Sequence, residues 1–294
     1  MFDKKEVRRA FDRAAQTYDA HAVVQREIAG RLAERLELIS LTPRRILDVG
    51  CGTGQNQGLL RARYPRADMV GLDLALPMLQ LARRPPGIWQ RLAGLWPGAA
   101  AYHVCADMEH LPLAANSVQM VWSSLAFQWA TELSAVLREC HRVLAPDGLL
   151  IFATLGPDTL KELRQAFAPV DGGTHVSHFL DMHDIGDMLM HAGYQHPVME
   201  MEMITLTYEG LSPLLRDLKG IGAHNAATDR ARGMMGKDAW RRLEQAYETF
   251  RKDGRLPATY EVIYGHAWVG DKTRLEDGRQ IIQFNMRQRK AGLR

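Results

Sequence analysis

The stretch ILDVGCGTG, residues 46–54, decides how the chain is read: a short apolar run carrying one acid, Asp48, then glycines at 50, 52 and 54. ILDV has the composition of a buried strand, and the alternating glycines stop it in a turn where side chains would be in the way. Working outward, Arg45 to Val49 reads as a strand and NQGLLRARY as the helix after it. ADMVGLDL reads as a second strand ending at Asp73, followed by a helix through PMLQLARR. AYHVCAD, VQMVWSSL and LLIFATLG supply three further short apolar runs, and ELSAVLRECHRVLAPDG reads as a helix closed by Pro146 and Gly148 before the last of them. Strands alternating with helices predict a parallel sheet covered on both faces.

Toward the amino terminus, apolar residues from Val7 to Leu38 recur at helical spacing. Beyond Gly156 the pattern gives a helix around MHDIGDMLMHAGY, an extended run VMEMEMITLTY, helical segments from Leu211 to Arg251 and a last strand TYEVIYGHAWVG. Residues 211–255 are short for an independent core and are followed by another strand, so they read as a cap inserted in one domain. The division expected is a single domain over 1–294, with a helical lid at 1–40, a ligand-binding core at 41–156, the second half of the sheet at 157–210, the helical cap at 211–255, and the last strand with a basic tail at 256–294.

Composition narrows the classes. The chain has 294 residues, 46% hydrophobic and 24% charged, and no apolar run approaches the length of a membrane span, so no membrane partner is expected. Charges occupy the amino-terminal segment where a secretory signal would be apolar, which predicts a cytoplasmic protein. A net charge of +3 does not by itself imply nucleic acid. Cys51, Cys105 and Cys140 form no CxxC pair and are expected as small reduced core residues. His175, His178, His183, His191 and His196 do not have the spacing of a compact metal site, and no metal is expected. In RPPGIWQRLAGLWPGAAA, Trp89, Leu92, Leu95 and Trp96 recur at helical spacing and predict a small packed helix.

In a doubly wound sheet, ligands lie beyond the carboxyl ends of the strands, against a glycine turn and a helix amino terminus. The turn here predicts a nucleotide-like ligand, with Asp73 on the ribose hydroxyls and Asp107 with Met108 beside the base. A dinucleotide fingerprint would read G-x-G-x-x-G, whereas this chain has G-x-G-x-G behind an acid. Asp48 would sit badly beside a pyrophosphate but balances an ammonium or sulfonium charge.

With those landmarks the chain resembles the class I S-adenosylmethionine-dependent methyltransferases, through ILDVGCGTG, VGLDLALPML, CADMEHLPL, VWSSLAFQW and VLAPDGLLIFAT in order. The resemblance implies a Rossmann-like, seven-stranded, mostly parallel sheet with helices on both faces. It also implies S-adenosyl-L-methionine as cofactor, S-adenosyl-L-homocysteine being its product, held by Tyr18, Asp48, Gly50, Cys51, Gly52, Gly54, Asp73, Leu74, Asp107, Met108 and Ser123. The segment WSSLAFQW lacks the Asn/Asp-Pro-Pro-aromatic pattern of amino-methylating nucleic-acid enzymes, so no nucleic-acid substrate is expected, and Trp122, Phe127 and Trp129 are expected in the core.

Outside that core, FDRAAQTYDAHAVVQ, LGPDTLKELR, HVSHFLDMHDIGDML, LRDLKGIGAHN and GRLPATYEVIYGHAW are similar to the malonyl-acyl-carrier-protein O-methyltransferases of biotin synthesis. That resemblance implies methyl transfer to the free carboxyl of a malonyl thioester, on acyl carrier protein or coenzyme A, giving the ester from which a pimeloyl precursor grows. An ionised carboxylate needs no general base, so Tyr18 is expected to position rather than to take a proton. Arg216, Lys219 and Tyr260 are the candidates for orienting the carboxylate. Arg216, Lys219, Arg230, Arg232, Lys237, Arg241 and Arg242 are the candidates for a basic surface facing an acidic carrier. Two alternatives share the core motifs: a methyltransferase of a quinone precursor or an aconitate-like carboxylate, and a non-catalytic S-adenosylmethionine-binding assembly factor.

Overall fold

A computed structural model describes residues 3–83, 100–171, 173–223 and 236–270. The expected helix around Trp89 to Trp96, the cations Arg230 and Arg232, and the basic tail after Gly270 lie outside the described residues.

The glycine-terminated run forms β1 (Arg45–Val49), flanked by β2 (Asp68–Asp73) and β4 (Val118–Ser124), with β3 (Ala101–Cys105) outside β2. With β5 (Leu144–Leu155), β6 (Tyr194–Tyr208) and β7 (Leu256–Val269), the described strands make one seven-stranded sheet in the order β3-β2-β1-β4-β5-β7-β6. Strands β1 to β5 run parallel, and β7 runs antiparallel to both β5 and β6. The chain leaves β1 toward one edge and returns to β4 on its other side. The crevice between the ends of β1 and β4 is therefore the switch point at which such sheets bind ligands.

Alternation along the buried strands sends side chains to two cores. Leu47, Val49 and Val121 pack with α5 (Leu133–Val143) and α7 (Met182–His191) on one face. Ile46, Met69 and Trp122 pack on the other with α2 (Val23–Arg35) and α6 (Lys161–Phe167). Ile28 and Leu32 of α2 are fully buried there, while Arg31 pairs with Glu202 and Arg35 lies 3.6 Å above the Tyr264 ring. Of the expected 1–40 lid, α2 is thus laid on the sheet. Only α1 (Lys4–His21), capped by Asp3 accepting from the amides of Lys5 and Glu6, borders the crevice. α3 (Gln57–Arg63) and α4 (Leu76–Ala82) follow β1 and β2.

Two details differ from the expectations. Helix α5 stops at Val143, and Pro146 to Gly148 fall inside β5, where the pairing jumps from Val118↔Leu144 to Met120↔Leu149. Asp147 has φ +58° and a Cβ on Gly148 would come 2.7 Å from the Ala145 oxygen, so the proline and glycine shape a bulge in the strand, not a helix cap. Cys51 and Cys140 are buried free thiols as expected, whereas Cys105 is exposed at the end of β3.

The helical segment inserted between β6 and β7 comprises α8 (Leu211–Gly220) and α9 (Lys237–Glu248). Helix α8 packs on α1: Thr17 donates to the Gly220 oxygen at 3.0 Å, and His21 Nδ1 lies 2.9 Å from Asp217 Oδ1. The insertion and the amino-terminal helix therefore meet beside the crevice.

Candidate active site

After β1 the chain turns through Gly50, Gly52 and Gly54 at φ +73°, +53° and +81°, the left-handed region that other residues enter only with strain. The Gly50 and Cys51 amides both donate to the Leu72 oxygen, at 2.7 and 3.0 Å. Each glycine has a separate reason to lack a side chain. A Cβ on Gly50 would lie 2.2 Å from the Ala126 Cβ, one on Gly54 3.1 Å from the Ala82 Cβ, and one on Gly52 would meet nothing within 4 Å because it opens on the crevice.

That crevice spans about 730 Å³, its open mouth included. Its floor is made by Gly50 and Gly52, by Leu72, Asp73 and Leu74 at the end of β2, and by Ala106, Asp107 and Met108 after β3. Ser124, Leu125 and Ala126 close the side toward β4. Its roof is α1, through Lys4, Val7, Phe11 and Tyr18. Lys4, Phe11 and Tyr18 are seven residues apart, so two helical turns separate each from the next and all three face the same way.

Asp73 braces the turn, accepting from the Gly52 amide on Oδ2 at 2.9 Å and from the Ala75 amide on Oδ1 at 2.8 Å. Burial raises its carboxyl above the ordinary value, against the pull of those amides. Asp48 lies beneath the turn rather than in the cavity wall, only 1% exposed, and neither carboxylate oxygen has a hydrogen-bond partner among the described residues. Burial, with the charge of Asp73 second, pushes its carboxyl up to about 7. An acid so placed favours a cation above it.

Lys4 reaches across the mouth, its Nζ 2.5 Å from Asp107 Oδ2 and 2.6 Å from Glu109 Oε2. Burial works to raise the Asp107 carboxyl, but Lys4 and the Glu109 amide hold it below its ordinary value. Burial and the charges of Asp73 and Asp19 push the Tyr18 phenol upward, keeping it neutral.

A second cavity, spanning about 810 Å³ with its open mouth included, shares Phe11, Tyr18, Leu125 and Trp129 with the first. The Phe11 and Trp129 rings meet edge to face at 5.4 Å, so the boundary between the cavities is aromatic. The second cavity is walled mostly by apolar residues such as Val24, Leu155, Leu163 and Phe179, with Gln25, Gln128, Thr159, His175, Ser177 and Tyr260 as its polar members besides Tyr18.

Of the residues expected at the site, Tyr18, Gly50, Gly52, Asp73, Leu74, Asp107 and Met108 line the first cavity and Tyr260 lines the second. Cys51 and Gly54 belong to the turn but not to its open face, Cys51 Sγ facing the Gly71 backbone of β2. Ser123 points the other way: it is fully buried and its hydroxyl donates to the Val49 oxygen at 3.0 Å, whereas Ser124, one residue on, lines the cavity. Arg216 and Lys219 are exposed on α8 and line neither cavity. Trp122 and Phe127 are in the core as expected, but Trp129 faces both cavities. Lys4, Phe11, Ser124 and His175 are further wall residues that the motifs did not single out. The seven-residue spacing to Tyr18 was the signal for the first two.

Residues 47–152 match a family described as a methyltransferase domain. The chain is 58% identical to the malonyl-[acyl-carrier protein] O-methyltransferase of Laribacter hongkongensis over 96% of each chain. It is 54% identical to the protein of the same name from Gallionella capsiferriformans over 98% of each. Among solved structures, it superposes on the YcgJ protein of Bacillus subtilis with a TM-score of 0.56 at 14% identity, covering 84% of this chain and 99% of that one. It also superposes on a Haemonchus contortus phosphoethanolamine N-methyltransferase in complex with S-adenosyl-L-methionine, with a TM-score of 0.51 at 15% identity, covering 88% and 57%. Those two likenesses are of fold. Among the described residues no helix is long and apolar enough to cross a membrane, and no group of three or more His, Cys, Asp or Glu is arranged to hold a metal ion.

Proposed function

This chain belongs to the malonyl-[acyl-carrier protein] O-methyltransferase family, and from that premise we propose that it moves a methyl group from S-adenosylmethionine to the free carboxyl of a malonyl thioester carried by acyl carrier protein. The product is the methyl ester that starts pimeloyl synthesis for biotin. The observation carrying the reading is the pair of cavities that share one aromatic wall: the first suits a nucleoside-like donor, the second an acyl acceptor.

The residues present fit the donor. Gly52 leaves the cradle open where a side chain would fill it, and the partnerless oxygens of Asp48 suit a cationic ligand. Asp73 has lone pairs left for ribose hydroxyls beyond those used by the Gly52 and Ala75 amides. When bound, S-adenosylmethionine supplies an electrophilic methyl on a sulfonium centre. The protein's own part is alignment. A malonyl carboxylate is ionised at neutral pH, so none of the lining side chains has to remove a proton. Phe11, Tyr18, Leu125 and Trp129 at the junction exclude water, and opposite charges that cancel during transfer react faster in a dry site. Tyr18, neutral and shared by both cavities, positions without acting as a base.

Arg216 and Lys219 on α8, with Lys237, Arg241 and Arg242 on α9, are all exposed and supply positive charge for an acidic carrier protein. Incubation with methyl-labelled S-adenosylmethionine and malonyl-acyl carrier protein, followed by mass analysis of the acyl group, tests the proposal. A methyl ester is expected with malonyl and none with acetyl; no ester under conditions where the donor binds would refute it.

A further inference from the structure

A carboxylate that enters the second cavity leaves water for a mostly apolar chamber, and an unpaired charge there is strongly disfavoured. Neither Arg216 nor Lys219 is in its wall. Among the described residues that are, His175 is the one basic side chain.

The histidine is built into place. Its Nε2 lies 2.6 Å from Asp171 Oδ1, and its ring stacks on Phe167 with centroids 3.7 Å apart and planes 6° from parallel. The pair is oriented from outside to inside: the Asp171 side chain is 42% exposed and that of His175 18%. Asp171 is held in turn, its Oδ1 also accepting from the Gly173 amide at 2.9 Å. With Nε2 engaged by Asp171, a ring carrying a proton on each nitrogen presents Nδ1–H as a donor to a ligand. The other polar members of the wall are neutral, and two of them are already engaged. Thr159 Oγ1 donates to the Glu261 oxygen and accepts from its amide, both at 3.2 Å, and Gln128 Oε1 accepts from Thr154 at 3.4 Å.

We propose that His175, oriented by Asp171 and Phe167, grips the acceptor carboxylate and so makes the enzyme select a malonyl over an acetyl thioester. This deepens the methyl-transfer reading and rests on it. A merely structural pair would clasp Asp171 and His175 to Phe167 at the end of α6 and treat both thioesters alike.

The test measures binding of malonyl- and acetyl-acyl carrier protein to the full-length enzyme saturated with S-adenosylhomocysteine. For His175→Gln the ratio of malonyl to acetyl affinity is expected to fall by about tenfold or more, the size of a lost charged hydrogen bond, with acetyl affinity and S-adenosylhomocysteine affinity unchanged. The KM for malonyl-acyl carrier protein should rise in step. Asp171→Asn keeps the ring, is expected to shift the ratio the same way by less, and serves if His175→Gln does not fold. A wild-type preference that survives both substitutions, or an equal weakening of both thioesters, overturns the assignment of His175 alone. A wild-type enzyme that binds both thioesters alike overturns this inference, whereas failure to form the methyl ester from malonyl-acyl carrier protein with the donor bound overturns the methyl-transfer reading on which it rests.

Discussion

Replacing Asp48 by Asn is expected to stabilise the ligand-free protein at alkaline pH and to weaken its grip on the donor. The Asp48 carboxyl is pushed from an ordinary 3.8 up to about 7 because burial strips its water and neither oxygen has a partner among the described residues. Below about pH 4 the acid is protonated whether the chain is folded or not, and it contributes nothing to the pH dependence. Between about 4 and 7 the unfolded chain releases the proton while the folded chain keeps it, so stability falls as pH rises. Some three pH units at 1.36 kcal/mol each make the loss about 4 kcal/mol by pH 8. Asn cannot ionise, so the two proteins should be equally stable at pH 4 and the variant more stable, by up to that amount, at pH 8. A bound cation reverses the preference. Donor affinity of the wild type should therefore rise with pH until Asp48 is ionised, with proton release near pH 6, and that of Asp48→Asn should stay flat and weaker. Urea unfolding at pH 4.5, 6 and 8, with titration calorimetry in buffers of different ionisation enthalpy, reads both effects. Stability curves for the two proteins that run parallel across that range would refute the argument.

Gly50→Ala combines left-handed strain with a clash against Ala126 and should lose about 2–4 kcal/mol of stability, whereas Gly52→Ala carries the strain alone, about 1–2 kcal/mol, and mainly lowers donor affinity; equal losses in chemical denaturation would contradict the geometry. Asp73→Ala should weaken S-adenosylmethionine by about 1–3 kcal/mol in calorimetry, and unchanged affinity would remove the ribose role. Arg216→Glu with Lys219→Glu should raise the KM for malonyl-acyl carrier protein in a salt-dependent way while sparing malonyl-coenzyme A; an equal effect on both would return these cations to the carboxylate itself. Lys4→Met frees the start of α1 from Asp107 and Glu109, and stopped-flow should show faster release of S-adenosylhomocysteine, with high salt giving the wild type part of the same increase.

Much of the site was legible because its signals are local. Positive φ at three alternate glycines, an acid two residues before the first of them and another at the end of β2 are demands of the backbone and of charge, and they need no knowledge of the rest of the chain. The exposure of Arg216 was legible too: Leu211, Leu214 and Leu218 form the buried stripe of α8, and Arg216 lies on its far side. Ser123 against Ser124 was not, because which face of β4 a residue takes depends on its pairing with β1 and β5. The proline and glycine after α5 read equally well as a helix stop or a strand bulge until β4 supplied the register.

From the residues alone came the order of strands and helices, the glycine cradle with its acids, and the resemblance that named the reaction. Periodicity, glycine conformation and charge spacing act over a few residues, so they survive without the fold. Tertiary structure alone decided that Phe11 and Trp129, 118 residues apart, meet as one wall between two cavities, and that His175 out of five scattered histidines looks into the second. Such neighbours are set by how helices and returning strands pack over the sheet, an outcome of the whole chain's burial that no short window contains.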